Sequence, residues 1–288
     1  MHFKSHANIP VFVPHMGCPH LCVFCDQKGI SGEKDELTPE KAKNQIEEAL
    51  STLQGRRAEI AFFGGSFTAI EREKMIAFLA LASSYLKSGR VSGIRLSTRP
   101  DCVDEEILDI LSFYGVSAVE LGVQSLDEEV LKASGRGHSV KDTADACARI
   151  KQRGCFLLGC QMMLGLPAST REKELLAARE ICRMGADCTR IYPTVVLKDT
   201  PLEALWKKGL YRPLSLEEGV LRGADCFEIF ENAGVKVLRM GLCAEESCRE
   251  QAVAGCYHPA YGELVYNRLY LQKLRRMLEE NPPAKGSL

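Results

Sequence analysis

Neither sign of charge is in excess in this sequence. Over 288 residues, 37 Lys and Arg stand against 38 Asp and Glu, a formal net charge of -1 at pH 7. That balance argues against a strongly basic nucleic-acid binder, although it leaves room for a local basic patch. No apolar run is long enough to cross a bilayer, and Met1 to Pro10 lacks the apolar core of a secretion signal. Internal repeats and low-complexity linkers are missing. So is any Gly-x4-Gly-Lys-Ser/Thr loop, and Ser134–Ser139 has too few glycines in register for a dinucleotide fingerprint. The expectation is a cytoplasmic protein with no membrane and no DNA partner.

Cysteine, by contrast, is abundant: there are 13. An odd count in a long chain without a signal does not fit a disulfide framework, so the cysteines are expected to be free thiols or metal ligands. Hydrophobic residues at 45% supply ample material for a core.

Short apolar runs alternate with helix-period segments. The runs are Pro10–Val13, Ile60–Phe63, Ile94–Ser97, Ala118–Gly122, Phe156–Leu164 and Cys188–Val195, and they predict strands. Between them the spacing predicts helices over Pro39–Leu53, Glu71–Leu86, Asp104–Phe113, Val140–Arg153 and Glu172–Met184. Thr38-Pro39 is a helix start, and Gly154 and Gly185 are helix stops. Six strands alternating with helices require crossovers and hence a parallel sheet. Pattern alone leaves a partial barrel, a full barrel and an open doubly wound sheet all possible. After about Asp199 the pattern changes, with a helix at Leu216–Asn232, a cysteine-bearing segment and a basic helix at Arg268–Met277. The reading is an α/β fold with residues 1–199 as barrel and 200–288 as an α/β extension packed on it.

Directly after the first strand comes Gly17-Cys18-Pro19-His20-Leu21-Cys22-Val23-Phe24-Cys25. Barrel enzymes build their sites on loops at the C-terminal ends of strands. Three thiolates spaced this way can hold three irons of a cubane and leave the fourth open to a small molecule. Zinc is the competing reading, with His15 or His20 as a fourth ligand. Spacing alone does not separate the two.

Further segments carry a resemblance. Phe62-Phe63-Gly64-Gly65-Ser66-Phe67-Thr68 follows the second strand, and Ser97-Thr98-Arg99-Pro100-Asp101 closes the third. Glu120-Leu121-Gly122-Val123-Gln124-Ser125 and Ser134-Gly135-Arg136-Gly137-His138 come next, and Gln161-Met162-Met163-Leu164-Gly165-Leu166-Pro167 completes the series. In this order, and with Cys-x3-Cys-x2-Cys, they resemble the radical S-adenosylmethionine (SAM) superfamily over roughly Ile9 to Thr194. Within it the chain resembles short bacterial relatives of the Elongator catalytic subunit that lack the acetyltransferase domain.

The resemblance implies a partial (β/α)6 TIM-like barrel and a [4Fe–4S] cluster on Cys18, Cys22 and Cys25. It implies that SAM chelates the open iron and is reductively cleaved to a 5′-deoxyadenosyl radical. SAM contacts would fall to Phe24, Gly64, Gly65, Ser66, Ser97, Thr98, Gln124, Arg136 and Gln161. Gly64 and Gly65 would meet the methionyl amino group, Arg136 the carboxylate, and Gln124 and Gln161 the ribose. Relatives often carry Glu where this chain has Ser66. The implied partners are an electron donor of flavodoxin or ferredoxin type and, as a candidate substrate, the wobble uridine of tRNA. Two alternatives stand beside this: a radical SAM enzyme of small-molecule, porphyrin-like metabolism, and a non-catalytic metal-stabilised binding module. Cys155 and Cys160 are expected in the barrel core, and Cys243, Cys248 and Cys256 as buried fillers rather than a second cluster.

Overall fold

The computed structural model describes residues 7–13, 18, 22–26, 37–53, 56–242 and 246–280. Strands β1 (Ala7–Val13), β2 (Ala58–Gly64), β3 (Gly93–Thr98), β4 (Ala118–Gln124), β5 (Leu157–Leu164) and β6 (Cys188–Pro193) lie side by side in chain order. Every neighbouring pair is parallel. The crossovers carry α1 (Pro39–Thr52), α2 (Arg72–Lys87), α3 (Glu105–Phe113), α4 (Glu128–Ala133), α5 (Val140–Arg153) and α6 (Arg171–Arg183). β3 and β4 are buried at every position, as a sheet covered by helices and curled on itself requires.

Local chemistry sets the helix ends. Thr38 accepts from the Lys41 amide ahead of Pro39, and Asp104, Asp127 and Thr170 cap α3, α4 and α6 in the same way. Ser139 and Asp142 form a reciprocal capping box on α5, which Gly154 closes at φ 66°.

The sheet has one strand more than the sequence pattern indicated. After α7 (Pro201–Lys207) and α8 (Leu216–Asn232), strand β8 (Lys236–Met240) pairs parallel with β6. The C-terminal segment thus completes the sheet as well as packing on it, and it covers the edge that β6 would otherwise expose. The result is a curled half-barrel with β1 and β8 as its two edges. The run expected to continue to Val195 breaks at Pro193, which has no N–H for the ladder. Val195–Leu197 (β7) instead pairs antiparallel with Ala252–Gly255 (β9) in a separate small sheet. Helices α9 (Glu246–Gln251) and α10 (Tyr261–Glu280) complete the described chain.

The basic stretch of α10 faces acids. Lys273 pairs with Glu231 at 2.7 Å, and Arg276 with Glu228 at 2.5 Å, both on α8. Cys160, Cys248 and Cys256 are buried, whereas Cys155 is exposed, contrary to expectation. It follows the Gly154 helix stop and precedes the first residue of β5, so it never enters the core. Cys243, His15 and His20 lie outside the described residues. Among those that are described, no helix is long and apolar enough to cross a membrane.

Candidate functional site

A cavity of about 550 Å³ opens inside the half-barrel toward the C-terminal ends of the strands. Cys18, Cys22, Phe24 and Cys25 line one part of it. Gly64, Gly65 and Ser66 follow from the end of β2, Ser97 and Thr98 from β3, Gln124 and Arg136 from β4 and beyond, and Gln161 from β5. The structure therefore brings every residue that the sequence suggested for the cluster or for SAM into one space.

The cysteine loop is held from two sides. Val23 donates its amide to the Ser134 carbonyl at 3.1 Å, and its own carbonyl accepts from Leu202 at the start of α7 at 2.8 Å. Val23 and Phe24 pack against a cluster of Val196, Leu202 and Tyr211. The Arg136 guanidinium donates to Cys22 Sγ at 3.3 Å and to the Gly122 carbonyl at 2.5 Å. Ser66 Oγ lies 3.8 Å from Cys18 Sγ. Burial, then the charges of Cys22 and Cys18, push the Cys25 thiol up to about 12, with Arg136 pulling the other way. A buried thiol raised by two neighbouring cysteines suits a cation, which deprotonates coordinating thiols outright. Among the described residues no three His, Cys, Asp or Glu side chains are spaced for a single ion. A cubane takes one thiolate per iron and does not need that convergence.

The adjoining wall has features that a small ligand would use. Gln124 has φ 63° where β4 slips register against β5, a left-handed conformation that costs a non-glycine about 1–2 kcal/mol. Its Oε1 is buried without a partner, as is Nε of Arg136. Gly64 has φ 106°, and a Cβ there would sit 3.1 Å from the Val13 carbonyl oxygen. The Gly65 amide already donates to that oxygen at 2.7 Å, so this turn would meet an ammonium group through a carbonyl and not through the amide. The Thr98 hydroxyl is engaged by Thr68 at 2.6 Å. Gln161 Nε2 donates to Ser97 Oγ at 2.9 Å and to Glu120 at 3.2 Å.

Below this region lies a network that the sequence did not disclose. Glu120, 1% exposed, receives Arg95 Nη1 at 2.9 Å and Arg190 Nε at 2.5 Å, while Arg95 also binds Glu59 at 2.6 Å. The Arg190 guanidinium lies 5.0 Å above the Phe63 ring. A signal was present: Arg95, Glu120 and Arg190 each stand within a largely apolar strand, and inward-facing charges on parallel strands of a barrel find their counter-charges on nearby strands.

His138 sits beside this site, 4% exposed. A carbonyl can only accept, so Nε2 carries the proton it gives to Val123 O at 3.2 Å, and Nδ1 is left buried without a partner. Burial first, then the cations Arg136 and Arg99, lower its pKa to about 4, against Asp101 and the Val123 hydrogen bond. The folded state then binds fewer protons than the unfolded chain between the ordinary value of 6.5 and about 4. Stability should accordingly fall as pH drops through that window, by about 3 kcal/mol in all. Urea midpoints from pH 7 to 4 for wild type and His138→Gln check this: the variant should lose that part of the slope.

Comparison with known proteins agrees with the geometry. The model of the radical SAM superfamily matches residues 12–179, and that of the radical SAM C-terminal domain matches residues 186–270. An uncharacterized protein of Methanocaldococcus jannaschii is 31% identical over 233 residues, covering 77% of this chain and 71% of that protein. The tRNA uridine(34) acetyltransferase of the same organism is 29% identical over 311 residues, 93% of this chain and 56% of the relative. This chain thus spans about half the length of that acetyltransferase. The structure of archaeal Methanocaldococcus infernus Elp3 superposes with a TM-score of 0.74 at 26% identity, covering 94% of this chain and 64% of the other. Escherichia coli coproporphyrinogen III oxidase shares the fold, with a TM-score of 0.57 at 15% identity over 80% of this chain and 53% of that one. The chain resembles Elp3 proteins along most of its length, and it belongs to the radical SAM superfamily of enzymes.

Proposed function

We propose that this protein holds a [4Fe–4S] cluster on Cys18, Cys22 and Cys25, binds SAM beside it, and acts on a uridine nucleotide of tRNA. One observation carries the reading: the three cysteines and the nine residues proposed for SAM all line one cavity. Cys18, Cys22 and Cys25 would hold the cluster, which with bound SAM would supply radical chemistry for hydrogen-atom abstraction. The protein's own part is to orient and to enclose. Arg136 is bonded to both Cys22 and Gly122, so its guanidinium is fixed where a carboxylate next to the cluster would meet it. Gln124 brings a buried, unpartnered oxygen that accepts from a hydroxyl. The tRNA substrate rests on the likeness to tRNA uridine(34) acetyltransferases. A flavodoxin or ferredoxin would deliver the electron. Residues 1–199 would act as the catalytic barrel, and 200–288 as the extension that braces it.

The test is anaerobic purification, reconstitution with iron and sulfide, and addition of dithionite and SAM, with 5′-deoxyadenosine as the readout. Its formation supports the reading. A zinc-loaded protein that cannot be reconstituted and makes none would leave a metal-stabilised binding module. Arg136→Ala should keep the iron content and weaken SAM binding about 10- to 100-fold, the loss expected for a charge-assisted pair. Calorimetric titration of the reconstituted variant with SAM checks it.

A further inference from the structure

The cavity has a second character besides its cysteines. Among the described residues its lining contains four arginines, Arg99, Arg136, Arg190 and Arg239, and no Asp or Glu. Three of them already have a counterpart. Arg99 forms a fork with Asp101 at 2.8–2.9 Å, Arg190 binds Glu120, and Arg136 faces Cys22. Arg239 differs. Its Nε donates to the Gly241 carbonyl at 3.1 Å, and it has no carboxylate partner among the described residues.

Register explains where Arg239 stands. Gln161 on β5, Arg190 on β6 and Arg239 on β8 are direct neighbours across the sheet. All three line the cavity, so the row runs from the SAM region to the far edge of the half-barrel. Tyr192, two residues beyond Arg190, lines the same space. Burial raises its phenol above the ordinary value even though Arg190 and Arg239 are close enough to lower it, so it remains an O–H donor. Phe12, Phe63 and Met163 supply apolar surface in the same cavity.

We infer that Arg239, with Tyr192, forms an anion subsite that receives the charged group of the substrate. A guanidinium and a phenol match a phosphate or a carboxylate, and a cation with no carboxylate partner among the described residues attracts anions into the cavity it lines. The rest of the substrate would then meet apolar surface elsewhere in the cavity, with its charge at the β8 edge. This rests on the proposed radical SAM reading and adds the substrate's chemical class: an anion, either a nucleotide through its phosphate or a small molecule through carboxylates.

The experiment measures binding, not turnover. Reconstituted protein is titrated with uridine 5′-monophosphate and uridine, and separately with coproporphyrin III and its tetramethyl ester, by ligand-observed NMR. Wild type should prefer the charged member of one pair by about tenfold or more, the range of a charge-assisted hydrogen bond. That preference should collapse toward unity in Arg239→Gln, weaken in Tyr192→Phe and be largely kept in Arg239→Lys. A preference for the monophosphate identifies phosphate as the source, and one for the free porphyrin identifies carboxylate. No preference in wild type, or one that survives Arg239→Gln, overturns the subsite. SAM affinity and 5′-deoxyadenosine formation by the wild type report on the underlying reading separately.

Discussion

Cys22→Ala should leave a folded protein that takes up little iron on reconstitution and forms 5′-deoxyadenosine only at background. Cys22 is buried, 8% exposed, and is the thiol that Arg136 contacts. Its removal takes away one of the three proposed iron ligands and leaves the Arg136 guanidinium with the Gly122 carbonyl alone. Two remaining thiols cannot hold a cubane with a single open iron. Far-ultraviolet circular dichroism should match wild type, because truncating one thiol in a ligand loop leaves the sheet and its helices unchanged. Iron analysis, the spectrum of the reduced protein and chromatography of the products read the three parts separately. Wild-type iron content with wild-type 5′-deoxyadenosine in this variant would overturn the assignment of the cysteine cluster.

Glu120→Ala should be the most destabilising substitution at the site. Glu120 receives hydrogen bonds from Arg95, Arg190 and Gln161 while only 1% exposed. The alanine variant would leave Arg190 buried with no carboxylate among the described residues, and Arg95 with Glu59 alone. Breaking a buried pair from one side costs about 3–5 kcal/mol, a large part of the roughly 5–15 kcal/mol that holds a domain folded. Urea unfolding of the two proteins measures the difference, and a loss under about 1 kcal/mol would contradict the network's structural role. Acid offers a second view of the same carboxylate. Burial alone would raise the Glu120 pKa, but the hydrogen bond and charge of Arg190, with those of Arg95, hold it below its ordinary value of 4.5. Its folded pKa is therefore depressed. The stability it contributes is present above 4.5 and is lost as pH falls below that value toward the folded pKa.

The six core strands and five of the intervening helices were legible because each has a clear period and a chemical stop. Thr38 with Pro39, Gly154 and Gly185 mark helix ends within a residue or so. The short α4 escaped notice because six residues are too few to establish a period. β8 escaped notice because its burial is mixed: Lys236 and Arg239 are exposed in a strand that lies at a sheet edge. The cysteine site was legible because ligand spacing is local in sequence. The Arg95–Glu120–Arg190 network was not, since its members come from β3, β4 and β6, and only the curl of the sheet makes them neighbours. Arg239 was hidden for both reasons.

The bonds to Val23 set the order in which the protein can become competent. Residues 18–25 leave the ribosome early, yet one of the two anchors that seat their loop is the amide of Leu202, nearly 180 positions later. The other, the Ser134 carbonyl, must wait for β4 and α4. A ribosome making this chain therefore carries an unseated cysteine loop through most of elongation. Iron delivered during that interval would meet three thiols that the rest of the chain has not yet enclosed. On the proposed cluster assignment, loading would follow completion of the polypeptide, and a chain stopped before α7 would display the complete cysteine motif without the Leu202 bond to Val23.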